Sequence, residues 1–279
     1  MCNEQELSRI INIKQIVSYI ILKLAAAGFL FFFFFLFAFF GSDMKMFQTV
    51  EGVLNKILWA FVYGYGILVS MFIDWLIKKY AVTKIKTIIG YYAIAGFGIF
   101  LILGFIVNII SADFLNLEFL VYAILAGIVG AFCALIFFLG TFIFNYSKIF
   151  KYIFAFLVPI GLFIIMSKDY TIKKNWESIQ NENSYAASFS YFNGQYEIPI
   201  DVKKGQTVKI TQQFHSENGG GHGFHIKDDK NRYVDTQLID DDQSKFEVKK
   251  TGVYRAVVTG AEVSGSFYVS WEIAQKKAD

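Results

Sequence analysis

Five long apolar stretches occupy the first 167 residues, and no other feature constrains the fold of this chain more strongly. Each has close to the length that crosses the hydrocarbon core of a bilayer. The stretches are Ile16–Phe40, Val53–Leu76, Thr87–Ser111, Phe119–Phe144 and Tyr152–Ser167. From Lys168 onward the sequence is polar and rich in turn residues. We therefore expect an α-helical membrane bundle of five spans followed by a small all-β soluble domain.

The two parts differ in period as well as in polarity. After the linker, apolar residues such as Tyr196, Ile198, Ile200 and Val202 alternate with polar ones, as in half-buried strands. Turn sequences rich in Gly, Asn, Asp and Lys separate these runs. We predict a five-span transmembrane domain at 1–167, a juxtamembrane linker at 168–184, and an extracytoplasmic antiparallel β-sandwich or jelly roll at 185–279.

Basic residues alternate between the loops of the first part. Residues 1–167 carry 11 Lys and Arg against 7 Asp and Glu, whereas residues 168–279 carry 15 against 16. The loop after the second apolar stretch contains four lysines and no acid, while the loop after the third contains two acids and no base. Because basic loops stay on the cytoplasmic side, we predict a multi-pass plasma-membrane protein with a cytoplasmic N-terminus. Five spans then place the C-terminal domain outside the cell.

Charge and cysteine content narrow the functional classes. Proteins that bind nucleic acid need clustered basic residues on their soluble surface, and the C-terminal part is nearly neutral, so we expect no nucleic-acid partner. The two cysteines are Cys2 and Cys133, and neither lies in the C-terminal domain. For a domain outside the cell, folding without disulfides favours a bacterial surface over a secretory-pathway organelle.

The second span carries the most polar residues. Gly66, Ser70 and Asp74 follow one another at intervals of four, which places them on one face of a helix. An ionisable residue inside a span is a candidate for ion or proton handling. Asp74 lies near the inner interface, however, so a structural ion pair with Lys23 or Lys78 is the alternative. Lys23, inside the first span, is expected to extend its ammonium to that interface.

Small residues indicate where two spans pack. The fourth span contains two ladders with a spacing of four, Ala123–Gly127–Ala131 and Ala126–Gly130–Ala134. Such ladders let helix backbones approach closely. The third span offers a partner surface with Gly90, Gly96, Gly98 and Gly104. The Phe-rich run of the first span is expected to face lipid, because every side of that helix is aromatic.

The motif Tyr65-Gly66-x-x-x-Ser70-x-x-x-Asp74 resembles the second span of an uncharacterised family of small multi-span membrane proteins of Gram-positive bacteria. The resemblance covers residues 1–167 at most. It implies a plasma-membrane protein and brings no catalytic residue with it.

The end of the β domain is predicted to form two strands, 253–259 and 266–273, on either side of a turn at 264–265. This segment is similar to the last hairpin of the pre-peptidase C-terminal type of bacterial β-sandwich. The matching residues are Gly252, Tyr254, Val258, Gly260, Gly265 and Phe267. The resemblance implies a non-catalytic binding or spacer module, although fold alone does not determine function.

All three histidines of the chain, His215, His222 and His225, lie within eleven residues. A hairpin across the Gly-rich loop could bring His215 towards His222 or His225, and neutral imidazoles bind zinc or copper. An ordinary polar loop and a ligand-contacting loop without metal are the alternatives. Aspartates at 228–229 and 240–242 offer oxygen ligands for calcium instead.

The sequence contains no nucleophile elbow, phosphate-binding loop, zinc-protease helix or dinucleotide fingerprint, so we do not expect an enzyme. The predicted function is a surface binding or interaction protein embedded in the lipid bilayer. Its partner is expected to be a cell-wall polymer, a peptide, a metal, or another membrane or surface protein.

A transport or channel component is the alternative, with Asp74 and the glycines of the third span lining a path. Transport usually needs polar groups that converge at mid-depth, and the span centres contain almost none.

Overall fold

The computed structural model describes residues 4–110 and 117–275 of the chain. The chain divides into two compact units, Met1–Lys168 and Asp169–Asp279. The first unit is helical and the second is a β domain, and each is described by itself below.

The helical unit contains five stretches that are long and apolar enough to cross a membrane. They are Ile13–Gly41, Lys56–Lys79, Ile85–Ile106, Glu118–Tyr146 and Lys148–Met166. The helices of the described residues are α1 (Glu4–Gly41), α2 (Met46–Val53), α3 (Lys56–Trp59), α4 (Ile67–Lys79), α5 (Ile85–Ile110), α6 (Leu117–Tyr146), α7 (Lys148–Tyr152) and α8 (Val158–Met166). The predicted bundle of five membrane-length segments is confirmed.

Two of these segments contain a π-helical stretch. Ala60–Gly66 joins α3 to α4, and Ile153–Leu157 joins α7 to α8. Pro159 follows the second stretch closely, and proline disturbs the preceding helical turn because it lacks an N–H and its ring displaces the carbonyl four residues earlier. The first stretch contains Gly64 and Gly66, and glycine has a low intrinsic propensity for the α-helix.

Helix α1 packs one side against the bundle and leaves its other side exposed. Ala25, Ala26 and Ala27 are fully buried, and Phe31 is fully buried against Trp59 with ring centroids 4.0 Å apart. The prediction that the Phe-rich run faces lipid is therefore wrong for its inner side, although other phenylalanines of that run, such as Phe37, are exposed. The small alanines allow neighbouring helices to approach α1. The prediction was based on the phenylalanines and did not take these alanines into account.

Helices α5 and α6 pack through the small residues predicted for that role. A Cβ atom added to Gly96 would lie 2.3 Å from the carbonyl oxygen of Gly130, and one added to Gly104 would lie 2.9 Å from the Cβ of Ala123. Only glycine permits the backbones to approach this closely. The predicted interface between the third and fourth spans is confirmed for Gly96 and Gly104, whereas nothing lies within 4 Å of a Cβ built at Gly90 or Gly98.

The second unit is an antiparallel sheet of eight strands. In order along the sheet, β1, β3, β8, β4, β7 and β6 are neighbours, while β2 also pairs with β3 and β5 also pairs with β8. The strands are β1 (Ile172–Lys174), β2 (Glu177–Asn181), β3 (Ser184–Val202), β4 (Gln206–Ser216), β5 (Gly221–Lys227), β6 (Gln237–Asp240), β7 (Gln243–Glu247) and β8 (Gly252–Gln275). The predicted all-β domain is confirmed.

The long strands β3 and β8 fold the sheet over its own core. The rings of Tyr185 and Tyr196, both on β3, have centroids 4.9 Å apart, whereas an extended strand would separate these residues by about 36 Å. Pairing shifts register between Phe189 and Gly194, which locates the bend. Gly265, with φ of +139°, lies inside β8. The predicted turn at 264–265 is therefore an irregularity within one continuous strand, and the hairpin predicted from strands 253–259 and 266–273 is wrong, because both halves pair with other strands instead.

The segment 168–184, predicted as a linker, contains two strands. Both β1 and β2 pair with β3, and Trp176 between them stacks on Phe189 with ring centroids 5.2 Å apart. Every residue of β1 and β2 is exposed. These strands have no alternating apolar side, and for that reason the sequence pattern did not indicate them.

Candidate functional site

A polar cluster lies inside the helical unit, and it contains Asp74. Lys23 is fully buried, and its Nζ lies 2.7 Å from Asp74 Oδ2, a carboxylate that is 28% exposed. The same Nζ donates a hydrogen bond of 2.8 Å to Ser70 Oγ. Of the two partners considered for Asp74 in the sequence, the structure pairs it with Lys23, while Lys78 is exposed. Lys23 does not extend its ammonium to the interface as predicted, because Asp74 and Ser70 bind it inside the bundle.

Two tyrosines complete the cluster. The Tyr19 hydroxyl donates a hydrogen bond of 2.7 Å to Asp74 Oδ2, and the Tyr92 hydroxyl shares a hydrogen bond of 2.8 Å with Ser70 Oγ. We define the polar cluster as Tyr19, Lys23, Ser70, Asp74 and Tyr92. Its members form one continuous chain of hydrogen bonds from α5 through α4 to α1. Such a chain is an arrangement through which protons or ions can be handled.

Spacing along the helices explains how the cluster forms. Tyr19 and Lys23 are four residues apart on α1, as are Ser70 and Asp74 on α4, so each pair shares one helix face. Sequence reasoning found Ser70, Asp74 and Lys23 but missed Tyr19 and Tyr92. The spacing of Tyr19 from Lys23 was a usable signal. The position of Tyr92 on α5 gave none, because its contact depends on how three helices pack.

The basic ends of several helices meet near this cluster. Lys151 Nζ on α7 donates a hydrogen bond of 2.9 Å to Ser18 Oγ on α1. Lys79, at the end of α4, places its ammonium 4.7 Å from the ring centroid of Trp75. Because Tyr19 of α1 also bonds to Asp74 of α4, the lysine-bearing ends of α1, α4 and α7 lie at the same end of the helical unit.

The fold does not bring the three histidines together. His222 and His225 are three residues apart on β5, and side chains at odd separations leave a strand on opposite faces. His222 stacks on Phe214 with ring centroids 4.0 Å apart, whereas His225 packs against Tyr233 at 4.9 Å. His215 lies on β4. In the part of the chain that the structure describes, no three His, Cys, Asp or Glu side chains are grouped to hold a metal. The zinc or copper site considered for the three histidines is not formed by this arrangement of the described residues.

The aspartates considered for calcium have other environments. The Asp228 carboxylate accepts hydrogen bonds from the Arg232 side chain and from the backbone N–H groups of Lys230 and Arg232. These bonds, chiefly the one from the Arg232 guanidinium, lower the pKa of Asp228 to about 2. The carboxylate is therefore bound within its own loop. The aspartates at 240–242 are exposed.

An exposed polar face covers the outward side of β2, β3, β8 and β4. One cross-strand row consists of Glu177, Ser188, Ser266 and His215, and the next consists of Ile179, Ala186, Tyr268 and Gln213. We call these two rows the polar face. They border a shallow depression of about 630 Å³. Tyr268 is 40% exposed and Ile179 is 68% exposed, so this face presents short polar side chains together with accessible apolar surface.

His225 lies on a different part of the sheet, in partly buried surroundings. Its Nε2 is buried and has no hydrogen-bond partner among the described residues. Burial, reinforced by the Lys227 ammonium, lowers the pKa of His225 below its ordinary value of 6.5, while the Glu197 carboxylate acts in the opposite direction. The fold therefore favours the neutral imidazole.

We expect the β domain to lose stability as the pH falls below about 6.5, since the unfolded chain then binds a proton that folded His225 resists. The substitution His225→Phe should flatten this dependence, because it retains a ring and removes the titrating group. Thermal unfolding of the full-length protein between about pH 8 and about pH 5 measures the effect. Replacing the exposed His215 by Phe is the matched control, and equal flattening by both substitutions would contradict the assignment.

Comparison with known proteins does not assign a family to this chain. No family model matches the chain, and no curated protein matches it. Among solved structures, the chain is similar to PliG of Aeromonas hydrophila, a periplasmic lysozyme inhibitor of g-type lysozyme. The identity is 20%, the match covers 34% of this chain and 93% of that chain, and the TM-score is 0.25. The two family resemblances drawn from the sequence stay predictions.

Proposed function

We propose that this protein is a multi-pass plasma-membrane protein that presents its β domain outside the cell as a non-enzymatic binding module. Five membrane-length helices precede the β domain, and an odd number of spans places the two ends of such a bundle on opposite sides of a membrane. The lysine-rich helix ends support a cytoplasmic N-terminus. The resemblance of residues 1–167 to the Gram-positive membrane family points in the same direction.

The polar face is the observation that carries the proposal. It combines an accessible tyrosine ring with the hydroxyl groups of Ser188 and Ser266 and the amide of Gln213. Saccharides are recognised by this chemistry, since the apolar side of a sugar ring packs on an aromatic ring while its hydroxyls bond to short polar side chains. We propose a cell-wall glycan as the ligand, and a peptide or another surface protein as the alternative occupant.

Replacement of Tyr268 by Ala should weaken binding to the cell wall by about three- to tenfold, because the substitution removes the accessible ring of the face. Co-sedimentation of full-length protein, reconstituted in nanodiscs, with purified cell walls measures the affinity. Tyr233 is a matched control, since it is 73% exposed and lies outside the polar face.

Tyr233→Ala should bind cell walls like the unmodified protein. Equal affinities of Tyr268→Ala and Tyr233→Ala would contradict a role for the polar face. Binding that is lost in neither variant, yet is abolished by a soluble peptide fraction of the cell surface, would favour the protein-partner alternative.

A transport or channel component is the second candidate, and the polar cluster favours it. Transporters carry ionisable groups where helices converge inside the membrane, and the cluster joins three helices through an ion pair and three hydrogen bonds. The sequence alone did not indicate this convergence, because the span centres contain almost no polar residues. We rank this candidate second because the positive charge of Lys23 is already matched by Asp74.

A further inference from the structure

A cavity lies within the helical unit, beside the polar cluster. It has a volume of about 440 Å³ and is bordered by α1, the segment from α3 to α4, α5 and α6. Its lining includes Asn55 near one end of the second membrane-length segment and Ser70 further along that segment. Fifteen residues of helix separate these two, which corresponds to about 22 Å. The volume is within the range of small-molecule sites, about 300–1,000 Å³, and such sites often lie between the helices of bundles.

The walls of the cavity are apolar and partly aromatic. Small residues, among them Gly66, Ala95 and Gly130, leave the space open. The ring of Phe61 lies 4.9 Å from that of Tyr65 and 5.4 Å from that of Phe100, measured between centroids, and all three rings line the cavity. The π-helical stretch Ala60–Gly66 forms part of the wall, and π-helical insertions occur frequently at functional sites.

The polar end of the cavity is formed by hydroxyl groups and carries no net charge. Ser70 and Tyr92 both line the cavity, and their oxygens are 2.8 Å apart. Behind Ser70, the charge of Lys23 is balanced by Asp74 at 2.7 Å. A charged ligand group would therefore be unpaired in apolar surroundings, which is strongly unfavourable. A neutral group that accepts a hydrogen bond matches this end.

We propose that the cavity binds a quinone, a neutral lipid-soluble ring that bears carbonyl oxygens and an isoprenoid chain. One carbonyl accepts a hydrogen bond from the Tyr92 hydroxyl, while Ser70 is engaged with Lys23 and Tyr92. The planar ring lies among the aromatic side chains. The isoprenoid chain of the quinone extends along the cavity towards Asn55, over about 22 Å. This site does not depend on the proposed function of the β domain.

Titration of the full-length protein with decylubiquinone tests the proposal. The protein is reconstituted in phosphatidylglycerol nanodiscs, so that phospholipid chains compete for the cavity, and native mass spectrometry identifies the bound mass. Ala95→Phe fills the cavity and should weaken quinone binding by at least about tenfold, which corresponds to 1.4 kcal/mol. Ile94→Phe is the matched control, because Ile94 is adjacent on α5, is 71% exposed, and does not line the cavity.

A second variant tests the polar end separately. Tyr92→Phe removes one hydroxyl and no volume, so it should weaken quinone binding by about three- to tenfold and leave any phospholipid adduct unchanged. If Ala95→Phe does not fold, Tyr92→Phe decides alone. Equal quinone affinity in Tyr92→Phe and the unmodified protein, or in Ala95→Phe and Ile94→Phe, overturns the proposal. A bound mass that corresponds to phospholipid only overturns it as well.

Discussion

Asp74→Asn should destabilise the helical unit more than Lys23→Met does, although both substitutions break the same ion pair. Asn at position 74 leaves the fully buried Lys23 ammonium without its counter-charge, whereas Met at position 23 leaves a carboxylate that is 28% exposed and still bonded to Tyr19. Loss of one partner of a buried pair costs about 3–5 kcal/mol. We expect Asp74→Asn near the upper end of this range, as measured by unfolding of the purified full-length protein in detergent micelles.

The double variant Lys23→Met/Asp74→Leu should recover most of the lost free energy of unfolding, because apolar pairs often replace buried ion pairs without loss. Lys79→Met, at the exposed end of α4, is the control and should change little. Equal losses in the two single variants, or a double variant that is as unstable as their sum, would contradict this account. A stable double variant that loses a physiological activity would favour ion or proton handling by the polar cluster.

Gly96→Ala should destabilise the helical unit by about 1–3 kcal/mol, the usual cost of forcing extra volume into a packed interface. The added Cβ would lie 2.3 Å from the carbonyl oxygen of Gly130 and 2.8 Å from the Cβ of Ala134, so α5 and α6 must separate. Gly98 is the matched control on the same helix, since no atom lies within 4 Å of a Cβ built there. Gly98→Ala should be neutral or gain up to about 1 kcal/mol from the better helix former. The same unfolding measurement in micelles compares the two variants.

A second glycine pair checks whether this reasoning extends to α1. A Cβ at Gly28 would lie 2.0 Å from the carbonyl oxygen of Phe154, whereas nothing lies within 4 Å of one at Gly161. Gly28→Ala should therefore lose stability and Gly161→Ala should not. If the members of each pair behave alike, helix separation is easier than the close backbone contacts indicate.

The features that could be predicted from sequence are those with a local period. Apolar length located the five membrane segments, alternation located the body of the β domain, and small residues every four positions located the contact of α5 with α6. The face shared by Ser70 and Asp74 was also a local property. Each of these signals depends on residues that are near one another along the chain.

The remaining features depend on tertiary contacts. Tyr92 joins the polar cluster only because α5 packs beside α4, and β1 and β2 are held by β3 without any apolar side of their own. The histidines are close in sequence, yet strand geometry separates His222 from His225. The cavity likewise arises from the spaces left between α1, α4, α5 and α6, which no single segment encodes.

Strand β8 has a consequence for how the β domain can fail. It pairs with β3 between Gly252 and Ser270, with β5 over its first part and with β4 over its last part. Neither portion of the domain can therefore detach while the other persists. A substitution that disrupts β8 should therefore weaken its pairing with β3, β4 and β5 together. A chain truncated within β8 should lose the fold of the whole β domain.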